Sequence, residues 1–594
     1  MIQGLFDETS PEERPAPIRE ALAELARADG EDRGAVFTKK VVVEFILDLV
    51  GYEPERRLHE SRLLEPAAGV GDFVLPAVDR LLRSYERHGG RASRIWPDLQ
   101  GALLAFDVHT PSVQELRERL RERLCAWGAS RRAASRLVEG WVRQDDFLLA
   151  PIPPGFSFVV GNPPYVRQER IPEVLLDLYR RRYETIYDRA DLYVPFIQRG
   201  LELLEEEGRL SFICTNRWLK NKYGKPLRRM IARGFQLRAF VDMEGTPAFH
   251  SEVLAYPGIL LVSRSPQAPE RGATRVAIRP PLVQASLTKL ARRLRGEGRT
   301  SNRVHAVPMP SRPGDPWLLD DPDQLCLLRR LEGRFPALEQ ASCRVGIGVA
   351  TGADSVFIQA YEDLDVEEER KLPLVLAGDV RNEGVSWSGK GLLNPFDESG
   401  ELVSLEDWPR FRAVLQEHEA RLRKRHVARR NPEGWYKTID KVYPDLLGRP
   451  KLLIPDIKGQ AVVAYDPGKY YPHHNLYYVV SEDWDLQALG AVLRSPIAVF
   501  FVSCYCTHMA GGFLRFQAQY LRRIRIPEWR DVPREIQREL TESGRRGEPA
   551  GWNALARLYG LSEAELEILR PHGAPGVSAW DAQAASGCFF RPPP

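Results

Sequence analysis

Along the first half of the chain, short apolar runs alternate with amphipathic stretches, the pattern of repeated βαβ units in a doubly wound sheet. The periodicity predicts a helix over 39–50 (KKVVVEFILDLV), a short strand over 62–65 that runs into a glycine-rich turn, and a helix over 72–83. A second strand is expected over 99–106, with a charged helix over 112–127 behind it. Residues 156–160 read as a strand ending at Gly161, 191–206 as a helix, 208–214 as a strand, and 255–262 as the last strand of this sheet. From 263 to 316 the composition turns to Pro, Arg and Ser, which predicts a linker or an irregular excursion. Short β segments follow over 451–455, 461–465 and 475–480, and a polar helical tail starts near residue 531. The expected fold class is α/β. A doubly wound, Rossmann-like domain spans 1–265 with an N-terminal arm over 1–33, a linker and mixed α+β domain span 266–530, and the helical tail spans 531–594.

Composition adds limits. A chain of 594 residues, 43% hydrophobic and 28% charged, is long enough to bury several cores. No apolar run reaches the ~18–20 residues of a membrane span. The acidic start, MIQGLFDETSPEERP, lacks the apolar centre of a signal peptide, so a cytoplasmic protein is expected. The 7 cysteines are scattered and odd in number, which argues against a disulfide framework. Cys504, Cys506 and His508 lie close together but have no second ligand pair, so no metal site is expected.

The net charge of +3, from 84 basic and 81 acidic residues, neither requires nor excludes nucleic acid, because binding depends on local patches. Such patches exist. Arg421, Arg423, Lys424, Arg425, Arg429 and Arg430 form one run, Lys220, Lys222, Lys225, Arg228 and Arg229 a second, and Arg522, Arg523 and Arg525 a third. By default a charge run is a solvated face. Trp218, Tyr223, Trp435, Tyr436 and Tyr520 beside these runs favour phosphate and base contacts, with Arg421, Lys424, Arg425, Arg522 and Arg523 as the binding candidates.

The strongest chemical signal is Val159-Val160-Gly161-Asn162-Pro163-Pro164-Tyr165, a hydrophobic strand delivering a stiff turn to the carboxyl edge of the sheet. An amino group on a conjugated ring is a poor nucleophile, because its lone pair is delocalised. Acceptors at the Asn162 side chain and the Pro163 carbonyl would hold its two N–H hydrogens and favour a more tetrahedral nitrogen, with Tyr165 stacked on the ring. The bland alternative is a rigid turn. A second signal is Leu64-Glu65-Pro66-Ala67-Ala68-Gly69-Val70-Gly71-Asp72-Phe73, whose glycines let backbone approach a nucleotide-like ligand. Asp107, ending the next strand, suits ribose hydroxyls. Asp145-Asp146-Phe147 precedes the Asn-Pro-Pro-Tyr strand. A Rossmann dehydrogenase would explain the glycine loop but not the Asn-Pro-Pro-Tyr turn.

In order, Phe37-Thr38, the glycine loop, Asp107, Asp146-Phe147, Asn162–Tyr165 and Phe249 resemble the TaqI-type, gamma-order class of adenine-N6 DNA methyltransferases over about residues 34–262. The resemblance implies S-adenosyl-L-methionine as cofactor. It places Thr38, Glu65, Ala67, Gly69 and Gly71 around the methionine part, Asp107 on the ribose, and Asp146 and Phe147 near the adenine. Asn162, Pro163, Pro164 and Tyr165 become the catalytic turn, with Phe249 facing Tyr165 across a flipped base. Two positions depart from the family pattern: Lys39 stands where Pro is usual, and Asp145 where Gly is common.

The later half resembles the family's target recognition region through 346–354 (GIGVATGAD), 451–455 and 472–480, and through 516–527 around Tyr520. The implied partner is double-stranded DNA, in a restriction–modification or phage-defence setting. The roughly 33 residues ahead of the first motif are too few for a fused nuclease domain, so a separate restriction endonuclease or defence subunit is expected. No nucleophilic Cys follows the prolines, which points to direct transfer without a covalent intermediate. An RNA or protein-glutamine N-methyltransferase, and a catalytically silent DNA-binding subunit, are the alternatives. The former are usually compact, and the latter has no reason to keep the Asn-Pro-Pro-Tyr turn.

Overall fold

A computed structural model describes residues 11, 14–27, 36–250, 256–264, 272–297, 304–309, 312, 314–458, 461–506 and 514–572. The chain divides into two compact units, Met1–Pro322 and Asp323–Pro594.

The first unit is built on one nine-stranded sheet. Its strands are β1 (Leu63–Glu65), β2 (Leu103–Asp107), β3 (Val142–Gln144), β4 (Phe156–Gly161), β5 (Leu204–Thr215), β6 (Phe235–Asp242), β7 (Pro257–Arg264), β8 (Thr274–Ile278) and β9 (His305–Val307). They lie in the order β3-β2-β1-β4-β5-β7-β6-β8-β9. Strands β1 to β5 are parallel, and β7 runs antiparallel to both neighbours. The order reverses between β1 and β4, and a crevice opens at the carboxyl ends of strands at such a switch point. Its principal helices are α1 (Ala16–Leu25), α2 (Lys40–Val50), α3 (Val74–Arg87), α4 (Thr110–Trp127), α5 (Arg131–Trp141), α6 (Glu173–Arg182), α7 (Tyr193–Glu202) and α8 (Gln284–Arg295).

The local chemistry accounts for these elements. Strand β4 is apolar but for Ser157, and all its other residues are buried, as in a parallel strand covered on both faces. Helix α2 is buried almost all round, since it packs on the sheet and under α8, and Gly51 ends it at a left-handed φ of 85°. Ser130 caps α5 by accepting from the Ala133 N–H.

The sheet does not end with β7. Segment 263–316, expected as a linker, supplies β8, β9 and α8, so the first unit continues to Pro322 rather than stopping at 265. Helix α8 buries Leu287, Leu290, Ala291 and Leu294. Its Arg295 donates to Glu53 Oε1 at 2.8 Å and its Thr288 to Asp48 Oδ2 at 3.0 Å. These contacts cross some 240 positions of sequence, where periodicity carries no signal.

The second unit holds two four-stranded sheets. One orders Cys343–Ile347, Leu476–Ser481, Lys451–Pro455 and Ala464–Asp466, and contains a wholly buried Lys451–Asp466 ion pair at 2.8 Å. Of the polar tail expected as a separate piece over 531–594, residues 531–572 belong to this unit and 573–594 lie outside the described residues. In helix Arg534–Arg545, a Cβ at Gly544 would fall 1.9 Å from the Gln487 carbonyl oxygen, so the helix packs closely on Leu486–Arg494. Among the described residues no single helix is long and apolar enough to cross a membrane. The apolar pair Leu486–Arg494 and Pro496–Tyr505, bent by 61°, is core.

Candidate active site

At the carboxyl ends of β1, β2 and β4 lies a cleft of about 1150 Å³, open mouth included, lined by Thr38, Ala67, Gly69, Asp107, Asp146 and Asn162 among others. Each wall follows from its local sequence. Gly69 has φ +52°, and a Cβ there would meet nothing within 4 Å, so its backbone faces open space. Its N–H donates to Asp107 Oδ2 at 2.8 Å, and the His109 N–H donates to Asp107 Oδ1 at 2.8 Å. The carboxylate ending β2 is thus anchored through both oxygens and keeps lone pairs for a hydroxyl ligand.

Glu65 and Gly71 line no part of the cleft; they support it from behind. Glu65 is buried and accepts from the Ala67 N–H at 3.0 Å. Burial pushes its carboxyl well above the usual range, and Asp107 and Asp72 nearby push the same way. Gly161, at φ +152°, lets that carboxyl approach, since a Cβ would sit 2.4 Å from Glu65 Oε1. Gly71 at φ +102° leaves room for the Leu116 and Leu75 side chains.

The Asn-Pro-Pro-Tyr turn follows β4. Asn162 Nδ2 donates to the Val36 carbonyl at 2.8 Å and to Thr38 Oγ1 at 3.2 Å. With both amide hydrogens engaged, Oδ1 is left buried and without a protein partner. An unmatched buried acceptor costs about 1–3 kcal/mol, and Asn162 lines the cleft, so Oδ1 is available to a donor that enters it. Thr38 therefore orients Asn162 as well as lining the cleft.

The segment around Thr38 pairs with the residues before β7. Thr38 bridges Phe249, His250 N–H donates to the Phe37 carbonyl at 3.1 Å, and Lys39 N–H donates to the Ala248 carbonyl at 3.0 Å. A proline at 39 would lack that donor, so the departure at Lys39 has a backbone role. The rings of Tyr165 and Phe249 come together, but edge to face, with centroids 6.3 Å apart and planes at 81°. Two rings stacked on opposite faces of a base would be parallel, so these must turn to admit one between them. Pro163, Tyr165 and Phe249 do not line the cleft, whereas Pro164 does.

At the other end lie Asp146 and Phe147, both buried. Asp146 accepts from the Leu149 N–H at 2.9 Å and from the Tyr179 hydroxyl at 2.7 Å. Burial raises its carboxyl, partly offset by the Tyr179 bond. Phe147 packs on Phe196 at 5.1 Å. Sequence reasoning missed Leu25, Asp72, Tyr179 and Phe196, which also line the cleft. Asp72 stood inside the quoted glycine loop. Tyr179 and Leu25 come from helices with no motif to mark them.

The basic candidates separate in the second unit. Arg421 and Lys424 are exposed. Arg425 is engaged internally, donating to the carbonyls of Leu422, Thr351, Trp435 and Lys437 at 2.8–3.1 Å. Arg522 donates to Glu339 and to the Val345 carbonyl, and Arg523 lies 4.3 Å over the Tyr505 ring. In the first unit, Arg228 is buried on the carbonyls of Trp218, Asn221 and Gly314, so it too leaves the solvated set. Cys504 and Cys506 are buried in the core, and His508 lies outside the described residues.

The molecule has known relatives. Residues 118–249 match the Eco57I restriction-modification methylase family, and residues 409–526 match the TaqI-like C-terminal specificity domain. The chain is 50% identical over 542 residues to the Type II methyltransferase M.XhoI of Xanthomonas vasicola, covering 91% of this chain and 99% of the relative. It is 50% identical over 561 residues to the Type II methyltransferase M.PaeR7I of Pseudomonas aeruginosa, covering 94% and 97%. The type IIL restriction–modification enzyme MmeI, solved in complex with DNA, shares the fold at 12% identity, with a TM-score of 0.51 over 97% of this chain and 78% of that one.

Proposed function

From the premise that this chain belongs to the type II DNA methyltransferases of restriction–modification systems, with S-adenosyl-L-methionine as methyl donor, we propose that it methylates the exocyclic N6 of adenine at a specific site in duplex DNA. The observation that carries this reading is the buried, unpartnered Asn162 Oδ1, held in place by Val36 and Thr38 through the amide nitrogen. Asn162 Oδ1 accepts one N–H of the adenine amino group and the Pro163 carbonyl accepts the other. Two acceptors placed off the ring plane draw the nitrogen toward tetrahedral geometry and return its lone pair for attack. Tyr165 and Phe249 take the base once it is rotated out of the duplex, because its amino group is otherwise tied up in pairing. The cofactor, when bound, supplies an electrophilic methyl group on a sulfonium.

Asp107 would hold the ribose hydroxyls, the Ala67–Gly69 backbone would take the methionine part, and Asp146 with Phe147 would take the adenine. The cleft fits such a ligand. It joins an anchored carboxylate, an open glycine turn and an apolar aromatic end, the mixture usual for a small-molecule site. The second unit, which carries the match to the specificity domain, chooses the sequence.

Digestion of host DNA to nucleosides and mass spectrometry tests the reading. Expression of the protein should produce N6-methyladenine, and Asn162→Ala should lower the rate by about 10²–10³-fold, the usual loss for one preorganised hydrogen-bonding group at the reacting centre. N4-methylcytosine in its place would overturn the choice of base, since that amino group poses the same electronic problem.

A further inference from the structure

The N-terminal segment reaches the cleft through one buried ion pair. Arg14 Nη1 and Nη2 donate to Asp145 Oδ1 and Oδ2 at 2.5 and 2.9 Å, and the two side chains are only 5% and 9% exposed. The same Asp145 Oδ1 accepts from the Asp146 N–H at 2.7 Å, and the Asp145 N–H donates to the Asp107 carbonyl at 3.2 Å. Arg14 is therefore one residue removed from Asp146 and two hydrogen bonds from the end of β2. Helix α1 starts two residues later, packs against α6, and ends on Leu25, which lines the cleft with Asp145, Asp146 and Tyr179. The Thr110 N–H donates to the Ala26 carbonyl at 3.4 Å, tying the far end of α1 to the start of α4.

We infer that Arg14 is a positioning residue for the cofactor: its pair with Asp145 docks α1 as one wall of the cleft and fixes Asp146 at the adenine end. Helix α1 has little else to hold it. Only Ile18 and Ala21 of its ten residues are buried, and an isolated helix of that length is marginal in water. Removing one partner of a buried pair strands the other charge and costs far more than a surface pair is worth. Asp145, one of the two departures from the family pattern, thereby acquires a role: it is the receptor for an arginine contributed from 131 positions upstream. The inference rests on the reading that Asp146 borders the adenine.

Titration calorimetry of the full chain with S-adenosylmethionine, S-adenosylhomocysteine and 5′-methylthioadenosine provides the test. Arg14→Ala should weaken all three on the order of tenfold, the size usual for coupling between a site and a contact outside it. Arg14→Lys should recover part of the loss, and Asp107→Ala is the control for the cleft itself. In kinetics the loss should appear in KM for the cofactor, with kcat at saturation and KM for DNA preserved, as for an interaction equal in ground and transition states. In wild type, backbone amides of α1 should gain hydrogen-exchange protection on adding S-adenosylhomocysteine, and Arg14→Ala should abolish the gain. Leu25→Ala, which strands no charge, should give a smaller loss of the same kind and serves if Arg14→Ala fails to fold. Unchanged affinity in Arg14→Ala and Leu25→Ala beside a weakened Asp107→Ala would overturn the role of Arg14 while leaving the cleft in place. Unchanged affinity in all three would overturn both.

Discussion

At the scale of single residues, the cleft is defined by side chains whose hydrogen-bonding capacity the protein uses only in part. Asn162 commits both donors to Val36 and Thr38 and keeps its acceptor. Asp107 commits one lone pair per oxygen to backbone and keeps the rest. Just beyond β6, Glu244 shows the opposite case, a carboxyl with too little compensation. Burial, and then the charge of Asp242, push it from 4.5 up to about 8, against the smaller pull of Arg279 and Lys220. The folded protein keeps a proton there that the unfolded chain releases above 4.5. The stability this group contributes is therefore full below that pH and is lost progressively until about 8, where the folded form also ionises. Glu244→Gln removes this contribution to the pH dependence. Melting temperatures of variant and wild type should coincide near pH 4.5 and separate in favour of the variant toward pH 8, at constant ionic strength. A gap independent of pH would show that Glu244 does not titrate in the folded state.

At the scale of elements, the sheet depends on pieces that look expendable. Strands β8 and β9 are short, and α8 follows a Pro- and Arg-rich stretch. Yet α8 covers α2, whose own apolar residues point outward as well as inward. Cutting the chain after residue 265 would expose Leu287's partners on α2 and leave β6 without its neighbour β8. A fragment of residues 1–265 should aggregate or stay unfolded. A fragment ending at Pro322 should fold and bind S-adenosylmethionine within about tenfold of the full chain, an energy of about 1.4 kcal/mol. Far-UV circular dichroism and calorimetry on the two fragments decide it. A folded, cofactor-binding 1–265 fragment would show that α8 is an accessory cover rather than part of the core.

At the scale of the whole molecule, the match to the methylase family falls in the first compact unit and the match to the specificity domain in the second. Phosphate contacts supply most non-specific affinity for DNA and make it salt-dependent. The basic run 421–430 mixes two kinds of arginine, which a titration can separate. Replacing exposed Arg421 and Lys424 by Gln should flatten the slope of log affinity against log salt by roughly one unit for each phosphate no longer neutralised, with little change in melting temperature. Arg425→Ala should behave in reverse, lowering stability by about 1.5–3 kcal/mol, since the guanidinium serves four carbonyls, and leaving the salt slope alone. A flattened slope in Arg425→Ala without loss of stability would reverse the assignment.

The candidate site's motifs were legible from the chain because their signals are local. Asn162–Tyr165 and the Glu65–Phe73 loop are contiguous, and each sits where an apolar run stops, so period and punctuation alone place them at strand ends. The alternation of β1, α3, β2, α4 and β4 was legible for the same reason. What stayed hidden depends on distance along the chain. Strand β6, FQLRAFVD, has no clean alternation, because Ala239, Phe240 and Val241, which point to alternate faces, are all buried in the folded unit. Glu65 and Gly71 occupy the same motif as Gly69, yet only packing against Gly161 and Leu116 puts them behind the wall rather than in it. Arg425 and Arg421 are alike as letters, and tertiary contacts alone make one a structural clamp. Arg14 reaches Asp145 across 131 positions. Local sequence determines which backbone turns and side-chain chemistries are available. Which of them meet, and which hydrogen-bonding groups are left free for a ligand, is decided only when distant segments close around them, because burial and partner geometry are properties of the folded whole.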